Sequence, residues 1–275
     1  MAPWIIILMA LWPLTLIGLA PKAYALPLGL YHDLLKREEP PKALGSHSEA
    51  DYLRWQPSLD FDTDSCYNVP AIDTNGNLAQ GLPVRNTCNE CDCREMSDLD
   101  NNNVYVRKRC NHGWCVYLYD YYFEKDVAGG GKGDGGHRHE WEHIAVFVDV
   151  GSQGDTPRLD MVAASRHGGY ETRVAGDVRM DRTHPKIVYH KEREGTHCFR
   201  FATEEDERIE NHARRWFRGD VVAYDMWPSR QLRDKLMTYE WEGPATMAIN
   251  DVNFKKDIEV ARNGGAPGFD SNVDQ

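Results

Sequence analysis

The pattern of apolar and polar positions predicts β-strands before it predicts anything else. From Trp114 to Phe123 aromatic and aliphatic residues run without a break, and Tyr117, Tyr119 and Tyr121 fall on one face by the two-residue alternation of a strand. Ile144-Ala145-Val146-Phe147-Val148-Asp149-Val150 is a second β-branched and aromatic run, the mark of a buried strand. Shorter β-rich segments follow at Leu159 to Ala164, Gly169 to Val174, Pro185 to His190 and Thr196 to Ala202, with turns between them. Another strand is expected from Val104 to Arg107. Strands at this spacing predict a mainly β, single-domain β-sandwich. Helical spacing appears near the C-terminus, where Pro228-Ser229 opens a helix with Leu232, Leu236 and Met237 on one face. A second helix, capped by Asp251, carries Phe254, Ile258 and Ala261. A short amphipathic helix is also expected from Tyr31 to Lys36.

Residues 1–25 form an apolar stretch ending in Ala23-Tyr24-Ala25, a small-x-small cleavage pattern, which predicts a secretory signal peptide and a mature domain over 26–275. A signal anchor is the alternative, and Pro13 and the cleavage-like ending count against it. After signal cleavage no stretch approaches the roughly 18 apolar residues of a spanning helix. The formal net charge of −11 disfavours nucleic acid and anionic lipid as partners, leaving neutral sugars and zwitterionic surfaces open.

Seven cysteines in a secreted chain predict disulfides with one thiol left over. Cys88-x-x-Cys91 resembles half of a zinc site, yet no second such pair exists. Cys110 and Cys115 flank a short loop and could close on each other. Ser97-Asp98-Leu99-Asp100-Asn101-Asn102-Asn103 fails as a calcium loop, because Asn103 stands where Gly is needed and Arg109 where Glu is needed. A solvated turn is expected there.

The densest chemistry lies in Gly136-His137-Arg138-His139-Glu140-Trp141-Glu142-His143, between a glycine-rich loop and the strand from Ile144. His139-Glu140-Trp141-Glu142-His143 fits the H-E-x-x-H pattern of zinc hydrolases, but that pattern needs a helix, and the flanking Gly and Val argue against one. Carboxylates with an imidazole at a loop-strand junction instead suit a hard divalent ion. With the strand starting near Glu140, Glu140 and Glu142 share a face, His137 reaches in from the loop, and Asp126 closes the ring from the preceding strand. Arg138 is expected to pair with a carboxylate, Trp141 to pack in the core, and His139 and His143 to be structural.

The run Tyr121-Tyr122-Phe123-Glu124-Lys125-Asp126, the glycine loop and Gly-His-Arg-His-Glu-Trp-Glu resemble the signature of the necrosis- and ethylene-inducing-peptide-like proteins, secreted cytolysins of fungi, oomycetes and some bacteria. Their heptapeptide is usually Gly-His-Arg-His-Asp-Trp-Glu, so Glu140 stands where Asp is commonest. Pro70-Ala71-Ile72-Asp73, Ser165-Arg166-His167-Gly168-Gly169-Tyr170, Thr196-His197-Cys198-Phe199-Arg200 and Pro267-Gly268-Phe269-Asp270 extend the likeness over nearly all of the mature chain. The resemblance implies a helix-flanked sandwich similar to actinoporin-like and lectin-like folds, of a cysteine-rich fungal type. It implies Ca²⁺ or Mg²⁺ held by Asp126, His137, Glu140 and Glu142, with His167 and His190 in the outer shell or on a lipid head group. It also implies pairing of Cys66 with Cys88, Cys91 or Cys93. The function it implies is non-enzymatic: extracellular docking on glycosylated sphingolipids of plant plasma membranes, followed by necrosis. The alternatives are a non-cytotoxic glycan- or lipid-binding homologue and, behind it, a metal-dependent hydrolase.

Overall fold

The computed structural model describes residues 39–84, 90–128, 135–151, 156–192 and 195–274. The expected signal peptide, the Tyr31–Lys36 helix and Cys88 lie outside them. Among the described residues ten strands and three layers account for the core. A six-stranded sheet runs in the order β10-β2-β3-β4-β5-β6, formed by β2 (Asn103–Asn111), β3 (Trp114–Val127), β4 (Gly136–Asp149), β5 (Arg158–Arg166), β6 (Gly169–Val174) and β10 (Asp220–Ala223). A smaller sheet joins β1 (Ser58–Phe61), β7 (Met180–Asp181), β8 (His184–Lys191) and β9 (His197–Phe201) around β8.

The alternation in β3 and β4 builds the layers. Tyr117, Tyr119, Tyr121 and Phe123, with Ile144, Val146 and Val148, pack between the two sheets against Ile187, Tyr189, Phe199 and Phe201. Their neighbours Val116, Leu118, Tyr122, Trp141, Ala145 and Phe147 face the other way, onto helices α3 (Arg230–Met237) and α4 (Phe254–Arg262). The tyrosine face is therefore core, and the mainly β sandwich flanked by helices stands as expected. Two shorter helices, α1 (Ala50–Trp55) and α2 (Met96–Asp100), lie earlier in the chain.

Local chemistry sets the helix ends. Ser229 caps α3, its hydroxyl accepting from the Leu232 N–H at 3.2 Å. Asp251 does not cap α4, which starts after Asn253; its carboxylate instead takes Arg107 at 2.8 Å and the Tyr224 hydroxyl at 3.0 Å. The Ser97–Asn103 segment is no solvated turn either. Glu95 and Asp98 form a capping box for α2, and Asp98, Asn102 and Asn103 are buried. Asn102 bonds Asn68 and Asn103 bonds the Leu44 backbone, so the amides stand in for missing backbone partners.

Cys66 pairs with Cys93, and Cys110 with Cys115 across the β2–β3 turn. Cys91 is also disulfide-bonded, and Cys198 is a free, buried thiol. No helix among the described residues is long and apolar enough to cross a membrane.

Candidate metal centre

The His-Arg-His-Glu run is not a loop entering a strand. β4 begins at Gly136, because β3 is long enough to pair with it back to Val127↔Gly136. That placement removes the helix on which the H-E-x-x-H reading depends. His139 sits in this strand at a left-handed φ of 63°, and the ladder steps from Phe123↔Glu140 to Lys125↔Arg138 around it. Its buried ring is held by the Tyr122 hydroxyl at 2.6 Å and by an edge contact with Trp241. Burial, then the Arg138 charge, lower its pKa to about 4, so it is neutral and structural. Arg138 donates to the Gln80 carbonyl at 3.0 Å and not to the carboxylate expected for it.

Asp126, His137 and Glu140 converge, with one donor atom from each lying within 4.8 Å of the other two. Asp126 is fully buried, and its carboxylate accepts from the His197 backbone N–H at 3.0 and 3.1 Å and from His197 Nδ1 at 2.8 Å. His137 Nδ1 donates to the His139 carbonyl at 2.7 Å, which fixes the tautomer and leaves Nε2 as the donor facing Glu140 Oε2 at 3.1 Å. Glu140 Oε1 accepts from the Trp141 N–H at 2.6 Å. Burial and the Asp126 charge push the Glu140 carboxyl up to about 8. The gap between His137 Nε2 and the Glu140 carboxyl is the place a cation would take.

Glu142, two residues on, is also buried. Its Oε2 accepts a short bond from the Ser165 hydroxyl, which in turn accepts from the His143 N–H at 2.8 Å. Its pKa is raised by burial first and by Glu140 next. Three of the four sequence-derived candidates thus form one cluster, and Glu142 stands close enough for its charge to be felt there. Buried acids held together without a compensating cation are costly, and hard oxygen donors with one oriented imidazole fit a hard divalent ion. Such an ion would supply positive charge, with open positions for hydroxyl or carboxylate ligands.

His137, Glu140 and Glu142 line a cavity of about 330 Å³. His137, Glu140 and Glu142 form one side with Ser165 and Thr196; His167 stands at its edge; Pro244, Thr246, Lys256, Asp257 and Val260 close it from the helix layer. His190 is not on the cavity wall. Its Nε2 lies 3.6 Å from Cys198 Sγ. Sequence reasoning missed the second wall and the support given by Ser165, although Ser165 stands in the quoted Ser-Arg-His-Gly-Gly-Tyr segment. His143, expected to be structural, lies partly buried on the cavity wall, and burial lowers its pKa to about 3.

Comparison with known proteins identifies the family and the fold. The chain is 31% identical over 140 residues to the necrosis-inducing protein NPP1 of Phytophthora nicotianae, covering 50% of this chain and 55% of that one. It is 28% identical over 238 residues to NLP effector protein 2 of Phytophthora capsici, covering 86% and 87%. The match to NLP effector protein 10 of the same organism spans 50% of that protein, so the chain aligns with about half the length of some of its curated relatives. These relatives are oomycete proteins and lend no support to the expected fungal type. Solved structures share the fold: a non-toxic HaNLP3 protein at 21% identity and TM-score 0.65, covering 80% of this chain and 96% of that one, and NLPPya in complex with mannosamine at 25% and 0.64, covering 80% and 94%. The family model described as necrosis inducing protein (NPP1) matches residues 49–261, the span that holds both sheets, both long helices and the whole cluster, and the chain belongs to that family.

Proposed function

We propose that the protein is a secreted, metal-dependent cytolysin that docks on sugar head groups of glycosylated sphingolipids in plant plasma membranes. The observation that carries this reading is the convergence of the buried Asp126 with His137 and Glu140, the latter two on the wall of an acid-lined cavity. Ca²⁺ or Mg²⁺ held there by these residues, with Glu142 behind them, would present free positions to sugar hydroxyls. His167 at the cavity edge would touch the head group. Complexes of a structural relative with mannosamine and glucosamine support a sugar as the ligand class. Damage would follow from surface attachment or assembly, without a catalytic step, and residues 1–25 would direct export.

Dye leakage from vesicles containing plant glycosylated sphingolipid, with and without Ca²⁺ or Mg²⁺, tests the proposal on the parent and on Glu140→Gln. Metal-dependent leakage that falls at least tenfold in the variant supports it. Sealed vesicles with retained divalent-ion binding would favour the non-cytotoxic glycan-binding alternative, a reading encouraged by Glu140 standing where the family usually has Asp. Hydrolysis of peptide or lipid by the parent, lost in Glu140→Gln, would favour a hydrolase.

A further inference from the structure

A second group of ligand-type side chains, sharing no residue with the first, lies at the edge of the cavity where two hairpin tips meet. The β5–β6 turn places His167 and Gly168 at φ of 47° and 79°, the two positive values of a tight type I′ hairpin, with Arg166↔Gly169 closing the ladder. The β8–β9 hairpin supplies Glu192, the residue just past the end of β8, and Cys198 on β9. Gly195 has only hydrogen where a Cβ would stand 3.0 Å from the Glu192 carbonyl oxygen and 3.7 Å from the His167 ring, so the tips can approach closely. One donor atom each from His167, Glu192 and Cys198 lies within 4.8 Å of the others. His167 Nε2 is 2.8 Å from Glu192 Oε2, Cys198 Sγ is 3.9 Å from that same oxygen, and His190 Nε2 is 3.6 Å from the sulfur.

We infer that His167, Glu192 and Cys198 form a thiolate-containing site for a borderline-soft divalent ion, Zn²⁺ being the fitting one, which bridges the two sheets beside the cavity. The donor set decides the ion. One sulfur, one imidazole and one carboxylate suit zinc, whereas Ca²⁺ and Mg²⁺ take oxygen. In a tetrahedral zinc shell adjacent donors stand about 3.3–3.6 Å apart, given bonds of roughly 2.0–2.3 Å. The separations here bracket that range, and the exposed His167 and half-buried Glu192 can rotate to close it. Water or His190 would complete four-coordination.

Charge and protons balance. Glu192 shares its carboxylate with Arg166, which donates to both oxygens. Oε1 can stay on the Arg166 terminal nitrogen while Oε2 turns from His167 and from Arg166 Nε to the ion. His167 then carries its proton on Nδ1 and presents Nε2. Burial pushes the Cys198 thiol up to about 12, so without metal it stays protonated, and binding would release that proton to solvent. Cys198 is the free cysteine among the described residues, so a thiolate signal has one origin there.

The test uses the full chain, freed of metal by chelator and titrated with Co²⁺ and then Zn²⁺. One equivalent of Co²⁺ should raise a thiolate-to-cobalt charge-transfer absorption with intense four-coordinate bands, and Zn²⁺ should discharge it. Cys198→Ser should abolish the charge-transfer band, and His167→Gln should weaken Zn²⁺ binding at least tenfold. His167 is on the surface, so its variant decides the matter even if the buried Cys198 variant fails to fold. Absence of the band at saturating Co²⁺, or Zn²⁺ affinity unchanged in His167→Gln, overturns the site. Neither result depends on membrane damage, so this inference and the cytolysin proposal fail separately.

Discussion

The Asp126 carboxylate of β3 and the His197 backbone and ring of β9 are joined by three short contacts, at 3.0, 3.1 and 2.8 Å. One of the three clustered candidate ligands thereby also ties the large sheet to the small one. Removing this carboxylate leaves a buried N–H and imidazole without an acceptor, at a cost of about 1–3 kcal/mol for each orphaned group. Asp126→Ala should lower the urea midpoint clearly, whereas Asp126→Asn, which keeps one oxygen acceptor, should lose less stability and still lose divalent-ion affinity. Equal midpoints for the two variants would show that the tie contributes little.

Gly136 stands at φ 135°, and a Cβ there would lie 2.7 Å from the Asp126 carbonyl oxygen. That contact is with backbone and cannot swing away. Gly136→Ala should cost about 1–3 kcal/mol from backbone strain and displace the start of β4 relative to Asp126. Calorimetry with Ca²⁺ and Mg²⁺ should show at least tenfold weaker binding. Parent-like affinity in a folded variant would contradict the role assigned to this close approach.

The Glu140 carboxyl, pushed up to about 8, binds its proton more tightly in the folded chain than its ordinary value of 4.5 allows when unfolded. Its contribution to stability is therefore fully present below about 4.5 and is lost as pH rises through about 8. Metal-free protein should melt at progressively lower temperature across that window, and added Ca²⁺ or Mg²⁺ should restore most at the alkaline end. Because Glu142 shares the same surroundings, Glu140→Gln should reduce the slope without erasing it. Thermal melts at graded pH decide this, and an unchanged slope in the variant would exclude Glu140 as the source.

The Cys66–Cys93 bridge encloses a sequence separation of 27 residues. Replacing both cysteines with Ala should cost about 3–4 kcal/mol on the loop-entropy account. The bridge holds the segment from Cys66 that runs over β3, where the Val69 N–H bonds the Tyr122 carbonyl at 3.0 Å. An unfolding free energy within a few tenths of a kcal/mol of the parent's, from urea denaturation, would mean that the backbone bonds alone fix this segment.

The strands of the central sheet were legible because β3 and β4 are unbroken apolar runs, and the clustering of Asp126, His137 and Glu140 followed from a dense motif. The start of β4 was not legible. Gly136, His137, Arg138 and His139 read as loop residues by propensity, and only the tertiary pairing with Val127 and Lys125 draws them into the ladder. The Tyr122–His139 bond likewise depends on a left-handed residue inside a strand, which no periodicity announces. Asp251 showed the reverse error: a residue suited to capping was recruited by Arg107, distant in sequence but adjacent in the fold.

The helix-layer wall of the cavity comes from Pro244, Thr246, Lys256, Asp257 and Val260, more than a hundred residues after the heptapeptide. A chain ending just after the small sheet would keep every residue of the diagnostic signature and still lack five of the sixteen residues that line the receptacle. Surveys that sort relatives by the heptapeptide alone would therefore merge intact receptacles with hollow ones, and the stretch from Pro244 to Val260 is the better place to look for a change of ligand.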